Sequence, residues 1–284
     1  MGNCVFIGRS TIDLMSFVDV MPSPDQKVNA LADFIGGGGS ALNAAIACHS
    51  LGSDAHLWTC LGKDHLYKSI VMAELDEHQV SIVDLSLDEN YQLPLSNIIS
   101  AKQTASRLIV NASQPDCEEV VTLNPNWLED TSIVLLDQYE HPFVMANQRA
   151  LAEFSGDIVL DAGTWKAHSE LFLSLCTIPI VSEEFTSGDK DKMQALCDKY
   201  GITKWAMTLG EKGVFYSDES GSGIIAAPKV DAIDTLGAGD IFHGTFCHYY
   251  SQSNDFRESL SKASEIAALS CTELGTRSWL KHIR

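Results

Sequence analysis

Short apolar runs alternate with longer amphipathic stretches along most of the chain. An apolar run of about four to eight residues is typical of a buried strand, whereas apolar residues that recur every three or four positions indicate a helix. The sequence therefore predicts strands at 4–8, 55–61, 133–136, 157–160, 178–181, 204–208 and 213–217, and helices at 40–51, 66–78, 143–153, 190–200, 240–252 and 257–272. This order favours an α/β fold with a mostly parallel sheet flanked by helices on both faces.

Two stretches, residues 14–35 and 92–111, break the alternation with half-buried extended runs. We expect these runs to pair into a small β-sheet separate from the core, which could act as a lid that covers a substrate and excludes water. The sequence thus predicts one α/β domain over residues 1–284 with a small β lid. Exposed apolar strands in such a lid would also favour a homodimer through it.

Composition narrows the class of partner. The 284 residues are 45% hydrophobic, which is enough for a large core. Lys and Arg number 19 against 38 Asp and Glu, so a net charge of −19 disfavours nucleic acid and anionic membrane as partners. No apolar run approaches the roughly 20 residues that span a bilayer. Eight scattered cysteines without a C-x-x-C pair indicate reduced thiols, and we expect a soluble cytoplasmic protein.

The segment 234–240 carries the strongest candidate chemistry, because small residues lie between an extended run at 226–233 and a predicted helix. Gly237, Ala238 and Gly239 at a helix N-terminus offer free backbone N–H groups and the positive end of the helix dipole, which suits a phosphoryl group. Asp240 beside that group could accept the proton of an attacking hydroxyl. The alternative from spacing alone is a glycine-rich turn with Asp240 as a helix N-cap.

Two further segments suit hydroxyl recognition. Gly36–Gly39 permit close approach of a substrate, and Asn43 at the start of a predicted helix can donate and accept hydrogen bonds. The alternatives are a glycine hinge with Asn43 as a cap, or a dinucleotide fingerprint, although the latter should directly follow the first strand. Asp13 follows that strand, and its carboxylate can accept two hydroxyl hydrogens, unless it is a free loop aspartate.

These segments together resemble the signatures of the ribokinase-like (PfkB) sugar kinase family. The sequence D-T-L-G-A-G-D at 234–240, followed by Phe242 and Gly244, resembles the family's C-terminal signature. The N-terminal motifs G-x-x-x-x-D and G-G-x-x-x-N-x-A are matched at 8–13 and 36–45, and T-x-G-x-x-G is matched at 208–213. The resemblance implies an ATP-dependent carbohydrate kinase that uses Mg²⁺, and it leaves a monovalent cation open as a further ligand.

The resemblance also implies roles for matching residues. Asp240 would be the catalytic base, and the backbone of Gly237, Ala238 and Gly239 would form the anion hole. Residues expected to face the acceptor, by motif or by position in the lid, are Asp13, Gly38, Gly39, Asn43, Lys27 and Asn111, with Gln138 and Tyr139 at a strand end. Residues expected to face the nucleotide are Thr208, Gly210, Gly213 and Thr235.

The sequence departs from the family's pattern at two places. The usual N-x-x-E, whose glutamate arranges Mg²⁺, reads Ser182-Glu183-Glu184-Phe185, which leaves the metal ligands unknown. The usual G-D-D-x-x-G has a tyrosine, Tyr67, at its last position.

The acceptor is predicted to be a small neutral sugar or polyol. The strand end at 137–139 lacks an arginine that would bind a second acidic group bidentately. Residues 107–111, Cys271-Thr272 and Arg277 lean toward the ketohexokinase-like and sulfosugar kinase branch. A nucleoside kinase is the alternative enzyme, although it should have more aromatic residues in the lid. A sugar or nucleotide sensor without turnover is the alternative outside enzymes; the altered N-x-x-E favours it and an intact Asp240 opposes it.

Overall fold

Strands and helices alternate along the chain in the computed structural model, which describes residues 2–113 and 115–283. The strands are β1 Asn3–Ile7, β2 Thr11–Val18, β3 Ala32–Gly38, β4 Asp54–Thr59, β5 Ser81–Asp84, β6 Leu95–Ala101, β7 Ser106–Asn111, β8 Ile133–Leu136, β9 Asp157–Ala162, β10 Ile178–Ser182, β11 Trp205–Thr208, β12 Val214–Asp218 and β13 Gly221–Ile225. The α-helices are α1 Ser40–Ser50, α2 Leu66–Glu77, α3 His141–Ala146, α4 Gln148–Ala152, α5 Ser169–Leu175, α6 Lys190–Tyr200, α7 Ala238–Ser253 and α8 Phe256–Ser270. Short 3₁₀ helices lie at Pro125–Leu128, Glu183–Phe185, Gly210–Lys212 and Ser278–His282.

The central sheet has the strand order β13-β12-β11-β10-β9-β8-β1-β4-β5. All strands from β11 to β5 in this order run parallel, and β12 and β13 add an antiparallel edge. Side chains alternate between two buried clusters, because Cys4 and Phe6 of β1 face one side and Val5 and Ile7 face the other. Helices α1, α7 and α8 cover the first side and α3 to α6 cover the second. The predicted α/β fold is confirmed.

A second, small sheet has the order β3-β2-β6-β7. It is mixed, since β2 pairs antiparallel with β3 and parallel with β6, and β6 pairs antiparallel with β7. Its inner face buries Met15, Phe17 and Ile98 against Phe34 and the loops that hold Leu236 and Leu274. The predicted ranges 14–35 and 92–111 fall within this small sheet and its loops, and strand β3 leads directly into α1.

Local sequence explains where several helices begin and end. Asp189 and Asp255 are the N-caps of α6 and α8, and each carboxylate accepts a backbone N–H three residues ahead, both at 2.9 Å. Helix α6 ends at Gly201 in the left-handed conformation, φ 71°. These capping residues determine where the helices begin and end, which the pattern of apolar residues alone does not.

Several elements differ from the predicted ones. The predicted helix at 143–153 is split at Asn147, whose amide donates to Phe143 O at 2.9 Å and accepts from Leu123 N at 2.7 Å, so that it competes with the helical backbone. The extended run predicted at 226–233 contains no strand, because β13 ends at Ile225. Strand β5 and helix α5 were not predicted.

The carboxyl ends of the parallel strands meet at one edge of the central sheet. Four polar residues lie at this edge: Asp137 just after β8, Asp161 in β9, Glu183 just after β10 and Thr208 in β11. In open parallel sheets ligands bind at this edge. Helix α7 is preceded by the loop 226–237, and its first turn supplies Asp240. No helix among residues 2–113 and 115–283 is long and apolar enough to cross a membrane.

Candidate active site

A cavity of about 220 Å³ lies between the small sheet and the first turns of α1 and α7. Seven residues that the sequence predicted for the site line it together: Asp13, Gly39, Asn43, Asn111, Tyr139, Gly237 and Asp240. Further polar lining comes from Arg9, Thr11, Ser40 and Ser96, and apolar lining from Pro94, Ile98, Ile109, Ala112 and Leu236. Segments far apart in sequence therefore meet in one polar cavity with an apolar wall.

Asp240 is the third residue of α7, and the N-cap of this helix is Gly237, with φ 69°. The structure thus excludes the reading of Asp240 as an N-cap. Its Oδ2 accepts a hydrogen bond from Nδ2 of Asn43 at 2.7 Å. Burial and the nearby charge of Asp161 raise the pKa of Asp240 to about 6, while the hydrogen bond from Asn43 and the charge of His243 oppose the increase. A carboxylate with this pKa is ionised at neutral pH and can accept a proton.

The backbone at the start of α7 faces open space. The first N–H groups of a helix have no intrahelical acceptor. One of them, Ala238 N–H, reaches Thr235 O at 3.4 Å. A Cβ added to Gly239 would meet no heavy atom within 4 Å, so the approach to this turn is free for a ligand. The arrangement suits an anionic group placed next to Asp240.

Asp13 lies on strand β2 of the small sheet with its side chain buried. Its Oδ1 accepts from Thr11 Oγ1 at 2.8 Å. Burial raises its pKa, whereas hydrogen bonds from Thr11 and Ser96 and the charge of Arg277 lower it. A Cβ on Gly38 would clash with the Asp13 carboxylate, so only glycine permits this close approach. Gly38 therefore supports Asp13 rather than lining the cavity.

Asn43 is the fourth residue of α1, and Gly39, with φ 98°, is the N-cap of that helix. Asn43 is therefore not a capping residue. Only 4% of it is exposed, and both ends of its amide are bonded, with Oδ1 accepting from Arg277 Nη1 at 2.8 Å. The amide is held in one place and orientation.

Tyr139 forms part of the cavity rim beside two cations. Lys166 Nζ lies 3.1 Å and Arg9 Cζ 5.6 Å from the centroid of its ring. The Arg9 guanidinium is bonded to Asp116, so its charge is already paired. Gln138 points away, because its Nε2 donates to Ser169 Oγ at 2.6 Å in the core.

The other predicted residues lie outside the cavity. Lys27 is on the exposed loop at 19–31 and does not line the cavity. Thr208 is the last residue of β11, and Gly210 and Gly213 follow it at the same sheet edge, where Gly210 is exposed and Lys212 Nζ lies 3.9 Å from Glu183 Oε1. Thr235 accepts from Arg107 Nη1 through Oγ1 at 2.8 Å and through its carbonyl oxygen at 3.4 Å. Thr208, Gly210, Gly213 and Thr235 make up the predicted nucleotide half of the site, outside the cavity.

Three functional candidates were missed from the sequence. Asp161 is the second-last residue of β9. Its Oδ2 is buried and has no hydrogen-bond partner among the described residues. This oxygen lies 3.5 Å from His243 Nδ1. Its position at the end of a predicted strand was the available signal. Glu74 and Arg277 carry no such signal, because only the tertiary structure brings them next to Asn43. No group of three or more His, Cys, Asp or Glu in the described part of the chain is arranged to hold a metal ion.

Comparisons with known proteins bear on the family and the fold. The profile of the family described as pfkB family carbohydrate kinase matches residues 1–283. A deoxyribokinase from Salmonella typhi is 26% identical over 290 aligned residues, covering 96% of this chain and 93% of the relative. A ribokinase from Haemophilus influenzae is 27% identical over 285 residues, covering 96% and 93%. The structure of an Arabidopsis thaliana ribokinase complexed with ribose and ATP has a TM-score of 0.73 at 18% identity, covering 100% and 99%.

Proposed function

The chain belongs to the pfkB family of carbohydrate kinases, and on that premise we propose that it transfers the γ-phosphoryl group of ATP to a hydroxyl of a small neutral sugar or polyol. The observation that carries the proposal is the position of Asp240. It lies in a polar cavity with Asp13 and Asn43, at the free N-terminus of α7. A proton acceptor and an anion-binding helix terminus thus lie side by side, as phosphoryl transfer to a hydroxyl requires.

In the proposed reaction each group has one task. Asp13 and Asn43 hold acceptor hydroxyls, and the cavity orients one hydroxyl toward Asp240. Asp240 takes its proton as the oxygen attacks phosphorus, and the backbone of Gly237, Ala238 and Gly239 stabilises the charge on the transferred group. The small sheet acts as a lid of the single domain and keeps water from competing as the acceptor.

The cavity favours a neutral single-ring acceptor. Its volume of about 220 Å³ is smaller than the roughly 300–1,000 Å³ typical of drug-sized ligands. Tyr139 is the one aromatic residue in the described lining, whereas a nucleoside base would profit from several. Arg9 is paired with Asp116, and the described cavity lining contains no other arginine. Relatives named ribokinase and deoxyribokinase support a sugar.

ATP is proposed to occupy the open half of the site, between Thr208–Gly213 and Thr235. The donor chemistry there fits Mg²⁺, which binds through one or two carboxylates with phosphate oxygens and water. Asp161, with its orphaned Oδ2, and Glu183 are the proposed ligands. When bound, Mg²⁺ would neutralise charge on the transferred phosphoryl group. A monovalent cation stays a prediction.

We also propose that the small sheet forms a homodimer. Its outer face exposes Leu14, Ile35, Leu108 and Val110, each at least 40% accessible. Strand β7 lies at the edge of the sheet and pairs on one side only, with β6, among the described residues. A second copy would cover this face and edge isologously.

The eight cysteines are all free, which supports a reducing compartment such as the cytoplasm.

The test is an ATP-consumption screen of the purified chain against aldoses, ketoses, polyols and nucleosides. We expect ADP formation to depend on one group of sugars or polyols, with a phosphorylated product visible by mass spectrometry. The Asp240→Asn protein, purified in the same way, controls for contaminating kinases. If only nucleosides supported turnover, the acceptor would be a nucleoside and not a sugar or polyol. If the protein bound sugars without turnover, it would be a sensor and not a kinase.

A further inference from the structure

An ion pair lies beside the acceptor cavity without lining it. Arg277, from the carboxyl-terminal segment, donates from Nε to Glu74 Oε1 of α2 at 2.8 Å. The two side chains are only 17% and 16% exposed. Moving two charges largely out of water costs free energy, so a mostly buried ion pair is weak evidence for added stability. We therefore infer a role for this pair other than stabilising the fold.

The pair joins four separate parts of the fold. Arg277 Nη1 donates to Asn43 Oδ1 of α1 at 2.8 Å, and Nη2 donates to Gly37 O at the end of β3 at 3.2 Å. Glu74 Oε2 accepts from the N–H of the same Gly37. Helices α1 and α2, the glycine run and the carboxyl-terminal segment are therefore fastened at one point.

This arrangement decides which way the Asn43 amide faces. An amide has an acceptor oxygen at one end and a donor NH₂ at the other. Because Oδ1 accepts from the Arg277 guanidinium, Nδ2 must face Asp240 Oδ2, 2.7 Å away. A flipped amide would place oxygen against carboxylate and NH₂ against guanidinium, which are two repulsive contacts.

We propose that Arg277, braced by Glu74, is a positioning residue that fixes the Asn43 amide so that it holds the Asp240 carboxylate ready for proton transfer. The proposal rests on the proposed role of Asp240 as base. A planar guanidinium with several donors in a fixed fork can serve Glu74, Asn43 and Gly37 at once, whereas an ammonium group cannot hold this geometry.

The Asp240 carboxylate has several charged or polar neighbours. Asp161 faces it from β9, His243 from its own helix, Ser40 and Asn43 from α1, and Tyr139 from the loop after β8. The Asn43 hydrogen bond lowers the pKa of Asp240 against burial and the Asp161 charge. Losing the fixed amide therefore moves the acidic limb of the pH–rate profile to higher pH.

The experiment compares Arg277→Met with Arg257→Met, which breaks a different ion pair, that between Arg257 on α8 and Asp218 on β12. For Arg277→Met we expect kcat/KM for the acceptor to fall about 10- to 100-fold, with the KM for ATP unchanged. The acidic limb should move up by roughly one pH unit. Arg257→Met should leave all three values as in the wild type. In an Asn43→Ala background, Arg277→Met should cause almost no further loss, since its effect passes through Asn43.

Two results would overturn the proposal: an Arg277→Met enzyme with the kinetics of Arg257→Met, or a full additional loss in the Asn43→Ala background. If Arg277→Met shows no cooperative melting, Arg277→Lys is measured instead, because it keeps a charge for Glu74 while losing the fork. A wild-type rate for the lysine enzyme would equally overturn it. Failure of the proposed function is distinguishable, because the wild-type enzyme would then show no sugar-dependent turnover, or Asp240→Asn would turn over normally.

Discussion

The proposed site has two halves, one for the acceptor and one for the nucleotide, and they are built by different means. The acceptor half uses buried side chains, Asp13 and Asn43, whose polar atoms are fixed by hydrogen bonds and by the Arg277–Glu74 pair. The nucleotide half uses glycine backbone and exposed loops, such as Gly239 and Gly210. Side chains held in a fixed geometry can discriminate between similar hydroxyl patterns, whereas backbone N–H groups bind any phosphate alike. Substitutions should therefore separate the halves kinetically.

Asp240 belongs to both halves, so its replacement should have the largest effect. Asp240→Asn keeps the shape and the contact with Asn43 but cannot accept a proton, and we expect kcat to fall roughly 10²- to 10⁴-fold. ATP binding, measured by calorimetry, should be retained. Asp255→Asn, at the N-cap of α8, is the matched control and should keep full activity. Normal turnover in the Asp240→Asn enzyme would sink the assignment of the base.

Gly239→Val tests the nucleotide half alone. A Cβ at this position meets no heavy atom within 4 Å, so we expect the valine side chain to project into the space that the phosphoryl group needs. We expect kcat to fall about 100-fold and the KM for ATP to rise, as when an oxyanion contact is lost. Gly239→Ala should show a smaller loss. Acceptor binding should be unchanged, and a selective loss of sugar affinity would contradict the division of the site.

Asp13→Ala tests the acceptor half. Loss of a charge-assisted hydrogen bond costs about 1.5–3 kcal/mol, so kcat/KM for the sugar should fall roughly 10- to 150-fold. Steady-state kinetics with each substrate varied in turn should show little change in the KM for ATP. Asp19→Ala, an exposed aspartate just after β2, is the control. A weaker affinity for ATP in Asp13→Ala would contradict the assignment of Asp13 to the acceptor half.

The pH profile should report the ionisation of the proposed base, Asp240. Burial raises the pKa of Asp240 to about 6, and the base must be ionised to act. Activity should therefore be full above this value and fall roughly tenfold per pH unit below it. The measurement is kcat/KM for the acceptor between pH 5 and pH 8 at saturating ATP, with melting curves at each pH. A flat profile across this range would contradict proton transfer to Asp240.

The smallest effect is expected from the outer face of the small sheet. Leu108→Lys with Val110→Lys places charges on the proposed dimer interface, and light scattering should then show a monomer. Leu66→Lys, at an equally exposed leucine of α2, should leave the mass unchanged. We expect activity to change by less than about threefold, because Ile109, between the two, still lines the cavity. A monomeric wild-type protein would remove the dimer proposal.

The predicted residues that the structure brings together in one cavity lie in local motifs. Asp13, Asn43 and Asp240 each follow a strand or begin a helix, and short-range pattern is enough to place such positions at a sheet edge. The fold class followed from the same alternation of strands and helices.

The residues that were missed depend on contacts far along the chain. Glu74 and Arg277 look like ordinary charges on a helix and near a terminus, and only tertiary packing makes them neighbours. Asn147 split a predicted helix because of backbone groups that are distant in sequence, Val121 and Leu123. Lys27 was selected by its place in the lid, but it lies on an exposed loop and does not line the cavity.

The long separations within the site also set when it can form. Asn43 lies 197 positions from Asp240 and 234 positions from Arg277. Closing loops of this length costs entropy before any contact repays it, and structures rich in such contacts fold slowly. Because synthesis delivers the amino-terminal part first, Asn43 must wait in a partly folded chain until the segment around Arg277 has left the ribosome. The proposed site is then complete only after the segment around Arg277 has been synthesised.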